Sequence, residues 1–177
     1  MYTTLNRWFE RLLEAASIVL LISLAVVVVL AVVFRFLGAS LIWYDEVASV
    51  QLAWLTYYGA ALAALKRGHL GFSGLFLNLP PRVRSVAFVL AELFVIGFFS
   101  VIGWGGWYLL DIFGDETLIS LPWIPLKITQ SVIPIGAALF IAAEILSIPD
   151  AWHKAMVGID YEKEAIDEAI EDARQST

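Results

Sequence analysis

Two glutamates stand where an apolar chain tolerates them least. Glu92 interrupts an otherwise charge-free stretch from about Ser85 to Leu110, and Glu144 interrupts another from Ile128 to Ile148. An acid at the centre of a bilayer costs about 2.5–3.5 kcal/mol on the insertion scale, so each must be either used or held. Used, such a carboxyl is a ligand for a proton or a cation. Held, it is a protonated or hydrogen-bonded group that ties its helix to a neighbour within the chain or across an interface. The two lie at similar depths, Glu92 the deeper, and the first two apolar stretches carry no lysine, histidine or carboxylate at that level. That favours the structural reading. Glu14, at the edge of the first stretch, is expected to reach lipid headgroups.

The next constellation is Trp43-Tyr44-Asp45-Glu46. Acids that open a helix are stabilised by its unpaired N–H groups and its dipole, by ~0.3–1 kcal/mol each. A helix cap is the plain role for Asp45; the pair can also meet Arg35 across the following loop, or an arginine on another subunit. Other chemistries are excluded by what is missing. The chain has no cysteine, which removes disulfides, thiolate metal sites and iron–sulfur clusters. Its two histidines, His69 and His153, fall outside the apolar stretches, where they cannot serve as axial haem ligands. No Walker-type glycine loop is present, so ATP is not hydrolysed by this chain. No catalytic, cofactor-binding or metal residue is therefore assigned, and no nucleic-acid partner is expected. The formal charge of −6 is local: most of the excess acid lies between Asp160 and Thr177. It says nothing about a substrate.

The elements that position these residues are helices. Ala15 to Phe34 and Val47 to Leu65 are free of charge, and with the two stretches that hold Glu92 and Glu144 they make four. Twenty helical residues cover roughly 30 Å, the thickness of a hydrocarbon core. Inside lipid the backbone must satisfy its own hydrogen bonds, so such stretches read as transmembrane helices. With 60% hydrophobic and only 16% charged residues, the chain is far from a soluble composition. The expected fold is an all-α membrane protein with spans at about 15–37, 46–66, 82–110 and 127–148. An amphipathic interfacial helix (1–14) precedes this four-helix domain (15–150), and an acidic cytoplasmic tail (151–177) follows it. The first span is too long for the apolar core of a secretory signal and reads as a retained helix. Arg7, Arg11, Lys66, Arg67, Arg82, Arg84, Lys154 and Lys163 all fall on one side, leaving only Arg35 and Lys127 on the other. That places both termini and the middle loop in the cytoplasm.

Finer expectations follow from local pattern. Leu5, Trp8, Phe9, Leu12 and Leu13 share one face of the N-terminal segment, which should lie in the membrane surface before the chain turns inward. Arg7, Trp8, Arg11, Arg82 and Arg84 are expected to anchor it and the middle loop to lipid. The apolar loop Leu70–Leu79 should lie in the interface too. Pro80-Pro81 suits the opening turn of the third span. Trp43, Tyr44, Trp104, Trp107, Tyr108 and Trp123 fall near the outer boundary, as an aromatic belt would. Pro134 should kink the fourth span. Gly59 with Ala60, Ala63 and Ala64, and Gly136 with Ala138 and Ala142, form small-residue faces suited to close helix approach. Missing is a line of polar residues down any one face, or matched broken helices, as a midplane transport site would require. From Asp160 the tail has apolar residues at helical spacing; a packed helix and a solvated end both fit it.

The order of segments resembles the small membrane subunit (DctQ-like) of tripartite ATP-independent periplasmic (TRAP) transporters. The likeness covers roughly residues 5–150. It is carried by Trp43-x-Asp45-Glu46, Trp54, Gly59-Ala60-Ala61 and Lys66-Arg67-Gly68-His69-Leu70, then by Leu121-Pro122-Trp123-Ile124 and Ile133-Pro134-Ile135-Gly136. Members often carry an aspartate soon after the histidine; here Gly71-Phe72-Ser73 occupies that place, so no role of that acid transfers. The resemblance implies a scaffold in the bacterial inner membrane. Its partners would be a large permease subunit, which holds the substrate and sodium sites, and a periplasmic substrate-binding protein that delivers organic anions such as carboxylates or sugar acids. Asp45, Glu46 and the outer aromatics would then lie near the docking surface, while Arg67 and His69 would order the cytoplasmic loop or meet phosphate headgroups. The main rival is a stand-alone, homo-oligomeric, proton-coupled exporter of the small multidrug-resistance type, with Glu14 or Glu92 as its embedded carboxyl. Such proteins are shorter and lack the N-terminal helix and acidic tail. An intramembrane enzyme would need histidine pairs or a serine–base pair that this chain does not offer.

Overall fold

In a computed structural model, residues 4–67 and 79–157 are described, with Ile170 and Arg174. His69, most of the Leu70–Leu79 loop and nearly all of the acidic tail lie outside the described residues. The elements are α1 (Thr4–Phe36), α2 (Tyr44–Leu65), α3 (Pro81–Phe113), α4 (Leu126–Gln130) and α5 (Val132–Val157). Four segments, α1, α2, α3 and α4 continued by α5, are long and apolar enough to cross a membrane. The all-α, four-span architecture expected from the sequence is the one observed.

Helix α1 departs from expectation in having no separate interfacial piece. It runs unbroken for 33 residues, and neither glycine nor proline occurs within it to interrupt the hydrogen-bond ladder. Its N-terminal apolar face also has something to pack on. Leu13 is fully buried and Phe9 lies against the same core cluster, while Asn6 Nδ2 donates to the Leu146 carbonyl at 3.2 Å. Residues 4–14 are the first turns of the same continuous helix. Beyond Leu13 the helix buries only Ala31.

Proline sets the ends of the other spans. Pro80 caps α3 and Pro81 opens it, as expected from their missing N–H groups. Pro134 cannot donate to the carbonyl of Gln130, and the fourth span is divided there, with Ser131 ending α4 before α5 begins. After that break α5 does not stop near Ile148. It passes through Pro149 to Val157, with Ala151 and Ala155 buried. Trp152 meets Phe88 edge-on, centroids 5.4 Å apart. Residues 151–157 therefore belong to the packed helices rather than to the tail.

The substantial helix contacts run in the order α1–α2–α5–α3, an open series rather than a closed ring. Its core lies toward the end that carries the N-terminus. Leu13 of α1, Ala61, Ala64 and Leu65 of α2, and Phe140 and Ala143 of α5 pack together, with Val95 and Phe99 of α3 against them. Phe99 stacks on Phe140 with centroids 3.7 Å apart. Small residues set the seams. A Cβ on Gly136 would run into the Tyr57 side chain, and one on Gly106 would lie 2.5 Å from Ile133 Cγ2. Gly59, expected on a close-packed face, instead has open space around it. Gly136→Val should thus force the α2–α5 seam apart and cost about 1–3 kcal/mol, the usual range for overpacking. Gly59→Ala should leave stability unchanged or raise it. Melting temperatures of the purified variants in detergent distinguish the two, and equal loss at both positions would contradict this packing.

Candidate functional site

The strongest concentration of buried polar chemistry forms where α2 ends. Lys66 caps the helix and Arg67 follows with φ +53°, a left-handed conformation usually given to glycine. A non-glycine residue held there stores about 1–3 kcal/mol of strain, which the surroundings must over-determine. They do so through its guanidinium, which turns back into the helices. Arg67 Nη1 donates to Glu92 Oε1 of α3 at 2.6 Å and lies 3.1 Å from Glu144 Oε1 of α5. Its Nε donates to Ser147 Oγ at 2.9 Å, and Ser147 Oγ donates in turn to the Glu144 carbonyl. The Phe88 ring lies 5.9 Å from the guanidinium carbon. The three charged side chains are 18%, 11% and 6% exposed. One cation thus joins the end of α2 to α3 and α5.

Of the two roles expected for Arg67, ordering the segment after α2 or meeting headgroups, the guanidinium is placed for the first, on acids of α3 and α5. This also names the partner of Glu92, which had been sought on the first two spans at its own depth. The partner comes instead from the segment after α2, because a long arginine side chain reaches inward from the helix end. Two acids at one depth on different helices already called for a cation, and Arg67 was available immediately after the span.

A second, more exposed cluster joins α1 to the end of α2. Lys66 Nζ lies 2.7 Å from Glu14 Oε1 and 3.0 Å from Glu10 Oε1. Glu14 therefore meets a lysine and not only headgroups. These hydrogen bonds, first that of Glu14 and then that of Glu10, hold the Lys66 ammonium above its ordinary pKa against a smaller opposing effect of burial. Both carboxyls offered for the exporter role, Glu14 and Glu92, are engaged by cations of this chain.

At the opposite end, Glu46 holds the loop between α3 and α4. Its Oε1 accepts from Ile119 N at 3.0 Å, and its Oε2 accepts from Ser120 N at 2.8 Å and from Ser120 Oγ. The loop folds on itself as well. Thr117 and Pro125 form a β-bridge, Leu118 N donates to the Ile124 carbonyl at 3.0 Å, and Leu118 and Leu121 are buried. Glu46 thus meets backbone N–H groups and not Arg35. Asp45 lies exposed in the first turn of α2, after Trp43, which makes no side-chain capping bond. Trp54 Nε1 donates to the Thr129 carbonyl at 3.3 Å, tying α2 to α4. Trp104, Trp107, Tyr108 and Trp123 are largely exposed, as belt residues would be.

The lipid anchors divide. Arg7, Trp8, Arg11 and Arg82 are exposed. Arg84 turns inward, its Nη1 donating to the Ala155 carbonyl at 2.9 Å and its Nη2 to Leu79 at 3.4 Å. It ties the start of α3 to the last turns of α5.

With four spans, two polar ends and an internally paired set of acids in place, comparison with known families is decisive. Residues 24–153 match the family described as tripartite ATP-independent periplasmic transporters, DctQ component. The chain belongs to that family. It is a small membrane subunit of a TRAP transporter, a transporter component and not a class of enzyme, and a tripartite family implies partner subunits. No curated protein matches the chain.

The two clusters of this DctQ component should differ sharply when a cation is removed. Arg67→Met leaves two buried acids without a counter-charge, a loss of about 3–5 kcal/mol for a broken buried pair. Lys66→Met removes an exposed contact worth about 0.2–1 kcal/mol. Thermal unfolding in detergent reads both. The raised Lys66 pKa also sets a sign: its contribution is complete below the ordinary lysine value near 10.4 and is lost as pH rises through the higher folded value. Wild-type protein should therefore lose stability relative to Lys66→Met only at strongly alkaline pH.

Proposed function

We infer that this small subunit is a scaffold rather than a conduit. It holds the large permease subunit in the inner membrane and helps to form the face on which a periplasmic substrate-binding protein docks. The large subunit carries the substrate and sodium sites, and the assembly takes up an organic anion, such as a carboxylate or sugar acid, on an ion gradient. The observation that carries this reading is the open α1–α2–α5–α3 series, whose two intramembrane acids are both engaged by Arg67. Four helices in an open series enclose no lumen, and their exposed flanks are apolar: α1 and α3 bury only two residues each. Such flanks suit lipid on one side and another membrane protein on the other.

Orientation follows from charge. The end with Arg7, Arg11, Lys66, Arg82 and Lys154 faces the cytoplasm, with both termini, by the positive-inside rule. The loop braced by Glu46 then faces the periplasm, where a binding protein would arrive. Reconstituted alone into liposomes, the chain should give no uptake of organic anions, no leak and no cation-coupled drug efflux. With a large subunit and a binding protein added, sodium-driven uptake should appear. Transport by the chain alone would overturn the scaffold reading.

A further inference from the structure

The charges around Arg67 do not balance. One guanidinium faces two carboxyls, so with both ionised the cluster would carry a net negative charge in the apolar interior. An uncompensated buried ion costs several kcal/mol even after relaxation. Glu92 Oε1 and Glu144 Oε1 lie 2.6 and 3.1 Å from the same nitrogen, Arg67 Nη1, and the second oxygen of each, Oε2, is shut off from solvent without a hydrogen-bond partner. Glu144 as a whole is 5% exposed and Glu92 9%. Two buried carboxylates converging on one guanidinium nitrogen cannot both remain ionised at modest cost, whereas a single shared proton gives one of them a donor and the other a partner.

Among the described residues, the neighbouring cations at this end are directed to other groups. Lys66 is turned to Glu10 and Glu14 on α1, Arg84 to the carbonyls of Ala155 and Leu79, and Lys154 lies 3.6 Å from Asp150 on its own helix. From α2, Tyr58 packs on the apolar cluster that holds Phe140 and Ala143.

We propose that Glu92 and Glu144 form a proton-binding site that holds one proton between them, so that with Arg67 the cluster is electrically neutral at physiological pH. The proton belongs to the pair, since removing either acid leaves one carboxylate matched to one guanidinium and no reason to retain it. The site links α3 to α5, so proton release would place a net charge in that seam. It is independent of the scaffold reading, because it concerns the internal charge of this chain and not its partners.

Infrared spectroscopy of the full chain in lipid tests this at neutral pH. Wild type should show the C=O stretch of one protonated carboxylic acid, shifting in heavy water. The band should vanish in both Glu92→Gln and Glu144→Gln, with helix content by circular dichroism retained. Its persistence in Glu92→Gln would mean that Glu144 is protonated by burial alone, and would overturn the shared site. Absence of the band from folded wild type would overturn it too. So would a band seen only after sodium is replaced by choline, which would assign the site to a metal cation. If one variant fails to fold, the other and the wild-type spectrum still decide.

Discussion

The arrangement of this chain depends on one buried cation. Arg67 stands at the end of α2 in a backbone conformation that arginine seldom adopts, and its guanidinium meets acids on α3 and α5. Those acids find their counter-charge there, and the same contacts hold the strained backbone in place. Each therefore accounts for the other. The main contacts of α2 and of α3 are both with α5, and the shared cation ties all three together. A buried ion pair contributes little net stability compared with a well-packed apolar substitute, but breaking one is expensive. Its effect here is to set register: the depth of Glu92 on α3 is matched to that of Glu144 on α5 because both must reach the same group.

Packing below and above this level is of a different kind. Toward the basic end, alanines and one phenylalanine stack bring the helices together, and Arg84 and Asn6 occupy carbonyls near the end of α5. Toward the other end, the acid that begins α2 is used to hold a loop. Glu46 accepts from two backbone N–H groups and a hydroxyl, so a loop already folded on itself is tied to the start of α2. Between the two ends the flanking helices leave most of their surface bare. Braced ends and a broad apolar flank are what the proposed scaffold role calls for.

Much of this was legible from residue types alone. Spans could be read because lipid demands long uncharged stretches and internally bonded backbone, a constraint that operates residue by residue. Prolines at 80, 81 and 134 act through a missing N–H and were equally local in effect. The end of α5 was not legible, because Pro149 and the polar residues after it suggest a stop, while Ala151, Ala155 and Trp152 find partners on α3 and continue the helix. The N-terminal segment reads as amphipathic, and part of its apolar side is covered by protein, through Phe9 and Leu13. Periodicity specifies that a face is apolar and not what will sit on it.

Pair partners were the least accessible. A charge near a membrane edge reads most simply as seeking headgroups, as for Arg84 and Glu14, yet Arg67, Arg84 and Glu14 each find a group on another segment of the chain. The sequence by itself determined the number of spans, the sidedness of basic charge and the presence of two acids in need of company. Only the tertiary structure decided that the helices stand as an open series, that Gly136 and not Gly59 sits at a tight crossing, and that one arginine answers both acids. The division has a physical cause. Transfer into lipid is a sum over single residues, whereas helix order and ion pairing depend on which side chains reach one another across space.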